Sequence, residues 1–197
     1  MRFQTGRISR TGKIERTRRV ERPSFPTSYS ELEALARLGS LRAVLEAVDA
    51  PGVPRKAEQL GEERAVSLFK GMPEERNWAL APYLFVVDEK TLDWIRETLW
   101  SGASWGILFE SARTLEDLAR HFRPWVVVED PNGDEMYFRF YDSEVLRTFL
   151  STATHAETTE LFGPVTRFFG VFDEVGAKEP VVRTFRKPWK ELGGAPR

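Results

Sequence analysis

The stretch Trp125-Val126-Val127-Val128-Glu129-Asp130-Pro131-Asn132-Gly133-Asp134-Glu135-Met136-Tyr137-Phe138-Arg139-Phe140-Tyr141-Asp142 holds two apolar runs on either side of a turn. Asp130 suits the first turn position, Pro131 presets φ at about −65°, and Gly133 accepts a positive φ. A three-residue hairpin loop closing on a left-handed glycine is therefore expected. The register that follows sets Val126 opposite Phe138, Val128 opposite Met136 and Trp125 opposite Arg139. A two-residue loop would leave Pro131 as a strand residue facing its partner, which disfavours that choice. One face then reads Val126, Val128, Met136, Phe138 and Phe140, an apolar face for the core. The other reads Trp125, Val127, Tyr137, Arg139 and Tyr141, aromatic and singly charged.

Upstream, short apolar runs alternate with helical patterns. Strands are expected at 41–48, 65–69, 83–87 and 105–109. Tyr83-Leu84-Phe85-Val86-Val87 is nearly continuous in apolar character, which suits a central strand covered on both faces. Ser30 and Glu33 read as a capping box for a helix stopped by Gly39, and a second short helix runs through Ala57 and Leu60 to Gly61. Asp88 or Thr91 caps a helix with Leu92, Ile95 and Leu99 on one face. Thr114 caps another, in which Leu115, Leu118, Ala119 and Phe122 fall at i, i+3, i+4 and i+7. After the hairpin, Asp142 or Ser143 caps a helix bearing Val145, Leu146, Phe149 and Leu150. Thr154 and Glu157 make a capping box for a helix ending at Phe162-Gly163-Pro164, and 168–172 reads as a last strand. Alternation of strand and helix across 41–109 predicts an α/β fold: a mixed, largely parallel sheet with an antiparallel hairpin, flanked by helices.

The chain has 197 residues, 41% hydrophobic and 12% aromatic, enough for one globular domain with a real core. Its net charge of −1 hides an asymmetry. Residues 1–22 carry eight basic side chains against Glu15 and Glu21, a balance of +6 that leaves −7 to the remainder. Residues 1–27 read as a basic flexible arm, 28–173 as the α/β domain and 174–197 as a polar tail, with Val181, Val182 and Trp189 as docking points. The absence of cysteine removes disulfides, thiolate metal sites and cysteine nucleophiles together. No apolar run approaches the roughly 18 residues of a spanning helix, and the N-terminus lacks the apolar core of a signal peptide. A cytoplasmic protein is expected.

Searching for chemistry returns mostly absences. Neither G-x-x-x-x-G-K-[S/T] nor G-x-G-x-x-G occurs, so no phosphate cradle is signalled. His121 and His155 are the only histidines and stand apart, which argues against a zinc site. The oxygens of Glu129, Asp130, Asn132, Asp134 and Glu135 faintly resemble a calcium loop, but Glu135 stands where its sharp-turn glycine belongs. No metal, cofactor or catalytic constellation is assigned. A small enzyme using carboxylates would have only generic Asp and Glu to offer. The +6 arm raises nucleic-acid binding as the alternative function, yet Phe3 is its only aromatic and no recognised reading fold follows.

The positive signal is aromatic. Trp105 opens a strand, Trp125 faces Arg139 in the proposed register, and Tyr137 and Tyr141 share that face. Core packing is the ordinary explanation for buried aromatics. Arg139 admits three readings: a cation–π contact with Trp125, an ion pair with Asp142 or another acid, or an anchor at a protein interface.

A family pattern connects these residues. Leu68-Phe69-Lys70-Gly71 and Ala81-Pro82-Tyr83-Leu84 are followed by Trp105-Gly106-Ile107-Leu108, then by Leu115, Leu118 and His121-Phe122-Arg123. Phe138-Arg139-Phe140-Tyr141-Asp142, Val145-Leu146 and Phe162-Gly163-Pro164-Val165 complete the series. In this order they resemble the type VI secretion adaptor-chaperones (domain of unknown function 4123), over about 40 to 172. The resemblance implies a cytoplasmic, non-enzymatic adaptor that holds a toxic effector and brings it to the VgrG-type spike protein. It raises the importance of Arg139, Tyr141 and Asp142, which with Trp105, Trp125 and Tyr137 are the candidate partner-binding or motif residues. Ser143 stands where the family has proline, and a serine there keeps a good cap. Phe138 and Phe140 are expected in the core, with Arg139 and Asp142 fixing the strand-to-helix junction.

Overall fold

The computed structural model describes residues 24–48, 50–101, 105–129 and 133–187. Among the described residues, seven strands form the main sheet: β1 (Phe25–Thr27), β2 (Leu41–Leu45), β3 (Ala65–Ser67), β4 (Tyr83–Val86), β5 (Gly106–Glu110), β8 (Arg167–Phe172) and β9 (Val181–Arg186). Their order across the sheet is β1-β9-β8-β5-β2-β4-β3. A separate hairpin pairs β6 (Val127–Glu129) with β7 (Glu135–Tyr137). The helices are α1 (Tyr29–Arg37), α2 (Gly52–Leu60), α3 (Glu89–Thr98), α4 (Leu115–Val126), α5 (Ser143–Thr152) and α6 (His155–Phe162), with a kinked 3-10 segment at Pro73–Leu80.

Each described strand pairing is antiparallel, which corrects the expectation of a largely parallel sheet. The reason lies in how the crossovers are spaced. β2 and β3, joined through α2, do run in the same direction, but β4 lies between them. β4 and β5, joined through α3, likewise flank β2. Each strand–helix–strand unit is split by an antiparallel strand, so alternation along the chain is preserved while parallel neighbours are not.

Strand register assigns the faces. Val66, Leu84, Val44, Ile107, Phe109 and Phe168 share one face. There Phe122 of α4 meets Phe109 edge-on at 5.3 Å and stacks on Phe140 at 4.9 Å, while Phe162 of α6 meets Phe168 at 4.9 Å. Ser143, at the start of α5, accepts a hydrogen bond from the Val171 N–H on the same side. The opposite face receives α1, whose Glu31 pairs with Arg167 of β8; Arg167 also reaches Glu110 of β5 at 2.6 Å. α2 and α3 lie beside α1: Lys56 sits 5.1 Å over the Trp94 ring, and Arg37 pairs with Glu89 at 3.0 Å. The result is three layers, with α4, α5 and α6 on one side of the sheet and α1, α2 and α3 on the other.

Local chemistry explains most element ends. Asp88 caps α3, Thr114 caps α4, Asp142 caps α5, and Thr154 with Glu157 forms a complete capping box on α6. Burial alone would raise the Asp88 carboxyl, but the Thr91 hydroxyl and N–H and the Arg64 guanidinium outweigh it and hold it below the usual carboxylate value. α1 starts two residues earlier than the capping box at Ser30 predicts, because Ser28 accepts from the Glu31 N–H.

Three expectations are revised at the hairpin and the chain ends. The predicted register holds, with Val128 opposite Met136 and the Phe138 N–H bonded to the Val126 carbonyl. Trp125 and Val126, however, belong to α4, so Trp125 does not face Arg139 across a ladder. The helical period that places Leu118 and Phe122 inward also carries Trp125 and Val126 inward, and this continues past Pro124. Each hairpin strand is therefore three residues long, and its supposed core face fails at Met136, which is exposed. Asp130, Pro131 and Asn132 lie outside the described residues, as do 1–23 of the basic arm and Trp189. The remaining parts of the arm and tail are not free ends: Phe25–Thr27 is β1, and Val181 and Val182 begin β9, the strand between β1 and β8.

Two glycines mark close approaches. At Gly106 a Cβ would stand 2.4 Å from the Val44 carbonyl oxygen, a backbone atom that cannot step aside. At Gly163, with φ +44°, it would stand 2.3 Å from the His121 ring, whose Nε2 lies 2.9 Å from the Leu161 carbonyl oxygen. Burial holds the His121 pKa below its ordinary value of 6.5, with the Lys187 charge acting the same way and the Leu161 carbonyl and Glu160 opposing.

Gly106→Ala is expected to destabilise the protein by about 3 kcal/mol, read as a lower urea midpoint, because neither β2 nor β5 can yield; an unchanged midpoint would contradict this packing. A lowered histidine pKa means that the unfolded chain binds the proton first. The His121 contribution is thus intact above pH 6.5 and lost as pH falls from there through the lower folded value. Melting temperature should decline between pH 7 and 5.5, and decline less in His121→Gln.

Candidate functional site

The motif residues separate into a buried junction and an exposed edge. At the junction, β2 is followed directly by Glu46, which is only 2% exposed. The Arg139 Nε lies 3.2 Å from one of its carboxylate oxygens, and the other accepts the Val48 N–H at 3.3 Å. Tyr141, buried beside it, hydrogen-bonds the same carboxylate, and desolvation followed by the Glu46 charge pushes the phenol pKa well up. Asp142 accepts the N–H groups of Glu144 and Val145 at 2.9 and 3.0 Å, and its second oxygen stands 4.0 Å from Arg139. Asp142 thereby completes both the cap of α5 and the polar cluster.

The predicted residues are thus distributed unevenly. Arg139, Tyr141 and Asp142 come together around Glu46. Trp105 joins them through the backbone, its carbonyl accepting the Glu46 N–H at 2.9 Å, while its buried ring stacks on Trp100 at 5.7 Å. Trp125 is buried elsewhere, packed against the rings of Phe138 and Phe149, and is a core residue. Tyr137 is 56% exposed, with its ring 6.2 Å from Phe69. Glu46 was missed from sequence, although a carboxylate at the end of the apolar run Leu41-Arg42-Ala43-Val44-Leu45 signals a buried acid that needs a partner.

The exposed edge lies where the sheet ends at β3. A groove of about 540 Å³ runs along it, lined by all three β3 residues with Pro54, Trp78 and Tyr83. Trp78 is 59% exposed, its carbonyl held by the Tyr83 hydroxyl at 3.0 Å. A second groove of about 480 Å³ opens on the other side of the edge, between Val66, Gly71 and the α4 residues Leu115, Ala119 and Arg123. Lys70 lines both grooves and pairs with Glu62 at 2.8 Å. Phe69 precedes Lys70 and contacts Tyr137, which places the base of the hairpin at this end of the molecule.

Among the described residues, no three His, Asp or Glu side chains are grouped to hold a metal ion, and no helix is long and apolar enough to cross a membrane. Fold and surface define a three-layer α/β protein on one antiparallel sheet, with grooves along a sheet edge. The chain belongs to the family described as "Domain of unknown function (DUF4123)", which matches residues 42–160, from β2 into α6. Neither a curated protein nor a solved structure matches the chain.

Removing one partner of a fully buried ion pair costs about 3–5 kcal/mol. The Arg139 side chain is 39% exposed, so solvent screens part of the charge that Arg139→Ala would leave on Glu46. A loss of about 1–3 kcal/mol is expected on that ground. Combining it with Glu46→Gln should recover part of the loss in a double-mutant cycle read by urea unfolding. Strict additivity of the two changes would mean that the pair does not couple.

Proposed function

We propose that this protein is a non-enzymatic adaptor-chaperone that binds a type VI secretion effector and helps load it onto the VgrG-type spike. The observation that carries this reading is membership of the family over 42–160, a span that includes the motif series from Leu68 to Leu146 in order. The surface chemistry supports it. Trp78 and Tyr137 are large aromatic side chains exposed at one end of the molecule, the residue types that anchor protein interfaces. The −7 body and the +6 segment at residues 1–22 give the protein two oppositely charged regions, suited to orienting a partner. Such loading takes place in the cytoplasm of the producing cell. In this reading Arg139, Tyr141 and Asp142 serve the scaffold, because a junction shared by adaptors of different cargo has no means to choose among them.

Affinity capture of the full chain from its native cells, with the secretion system expressed, should recover one effector and a spike protein in salt-sensitive complexes. Recovery of neither partner would sink the proposal.

A further inference from the structure

The two ends of the main sheet differ in how they are protected. β1, at one end, carries Pro26 at its centre, a residue without an N–H that blocks further pairing. β3, at the other end, is Ala65-Val66-Ser67, with neither proline nor charge. The ladder between β3 and β4 shows which β3 groups face outward. Arg64 accepts from the Val86 N–H and Leu68 donates to the Pro82 carbonyl, so the hydrogen-bonded pairs fall on even-numbered β3 positions. The backbone groups of Ala65 and Ser67 therefore point away from the sheet. Two of these four groups are already used: the Ala65 N–H bonds to Gly61 and the Ser67 carbonyl accepts from Lys70. The Ala65 carbonyl and the Ser67 N–H, on either side of Val66, have no hydrogen-bond partner among the described residues. One donor and one acceptor at this spacing are what a single added strand engages.

Grooves flank that edge on both faces of the sheet, and alternate side chains of an added strand would point into them. The groove on the α2 side offers Pro54, Tyr83 and the exposed Trp78 to an apolar or aromatic side chain. Glu58, Glu62 and Glu116 outnumber Lys70 and Arg123 along the two grooves, which favours a segment that also carries lysine or arginine. We propose that β3 takes a short extended segment of the effector polypeptide as an eighth strand, basic in its flanking residues and with one large apolar side chain beside Trp78. This rests on the adaptor reading above and names the surface that would hold the cargo.

The test uses the full chain and the effector recovered by affinity capture. Ser67→Pro removes the outward N–H and fills its place with a ring, while the ladder to β4, which does not use that N–H, is left intact. Ser67→Ala controls for the hydroxyl, which accepts from the Phe69 N–H. Ser67→Pro should weaken effector binding at least tenfold with the melting temperature near that of the wild type, and Ser67→Ala should bind as the wild type does. On the wild-type complex, where no variant needs to fold, exchange of the Ser67 amide should slow at least tenfold when the effector binds. Unchanged binding by a folded Ser67→Pro, or unchanged exchange at Ser67, would overturn the proposal while leaving the adaptor reading in place. A wild-type homodimer abolished by Ser67→Pro would assign the edge to a second copy and also overturn it. Failure of the wild type to capture any effector would reject the adaptor reading itself, and this inference with it.

Discussion

β2 is the strand on which the rest of the fold depends. All five of its residues are buried, it pairs with β4 on one side and β5 on the other, and it divides the β4–α3–β5 unit. A strand in that position needs apolar side chains on both faces, and the run Leu41-Arg42-Ala43-Val44-Leu45 supplies them at every place but one. The exception, Arg42, gives its Nη1 to the carbonyls of Gly39 and Leu41, both at 2.9 Å, while its buried Nε has no hydrogen-bond partner among the described residues. The demand extends to the partner: β5 must begin with glycine, because the Val44 carbonyl occupies the space a Cβ would take. Tight backbone contact and double-sided burial together fix β2 between its neighbours.

The same strand organises the far side of the molecule through its last contact. Glu46, leaving β2, is a buried carboxylate met by Arg139, Tyr141 and the Val48 N–H. Because Arg139 and Tyr141 bracket Phe140, that contact seats Phe140 against Phe122 and aligns Asp142 to cap α5. The Arg-Phe-Tyr-Asp run is therefore intelligible as a chain of mechanical consequences: charge to β2, ring to the core, phenol to the buried acid, carboxylate to the helix. None of these four roles needs a ligand, which is why the motif reads as scaffold.

Much of this was legible in the residues themselves. The positions of β2, β3, β4, β5 and β8, the caps at Asp88, Thr114 and Thr154, the register of the hairpin and the capping of α5 by Asp142 all follow from local chemistry, and the structure agrees with each. Sheet direction was not legible. Strand–helix alternation reports the relative direction of consecutive strands, not which strand is inserted between them, and insertion is a long-range choice. Trp125 was misplaced because the apolar run from Trp125 reads equally as the start of a strand, whereas the buried helical stripe of Leu118, Phe122 and Val126 continues through it. β1 and β9 were overlooked for a different reason. β1 is only Phe25-Pro26-Thr27, three residues with a proline at the centre, and β9 carries Arg183 and Arg186, so their composition resembled that of an arm and a tail. The β3 edge had no sequence signal at all, since exposure of a strand is a property of the sheet's order.

Function then divides along the same line as structure. The buried junction keeps the fold in one arrangement, and in the proposed adaptor reading the unprotected edge at β3 with its grooves is the surface that holds a partner polypeptide. The most direct measurement is site-specific photo-crosslinking of the full chain to the proposed effector, with a benzophenone side chain placed at Trp78 beside β3 or at Phe25 on the opposite edge, both solvent-accessible. The account predicts effector crosslinks from position 78 and none from position 25. Crosslinks from position 25 alone would contradict it and move the docking surface to the other end of the sheet.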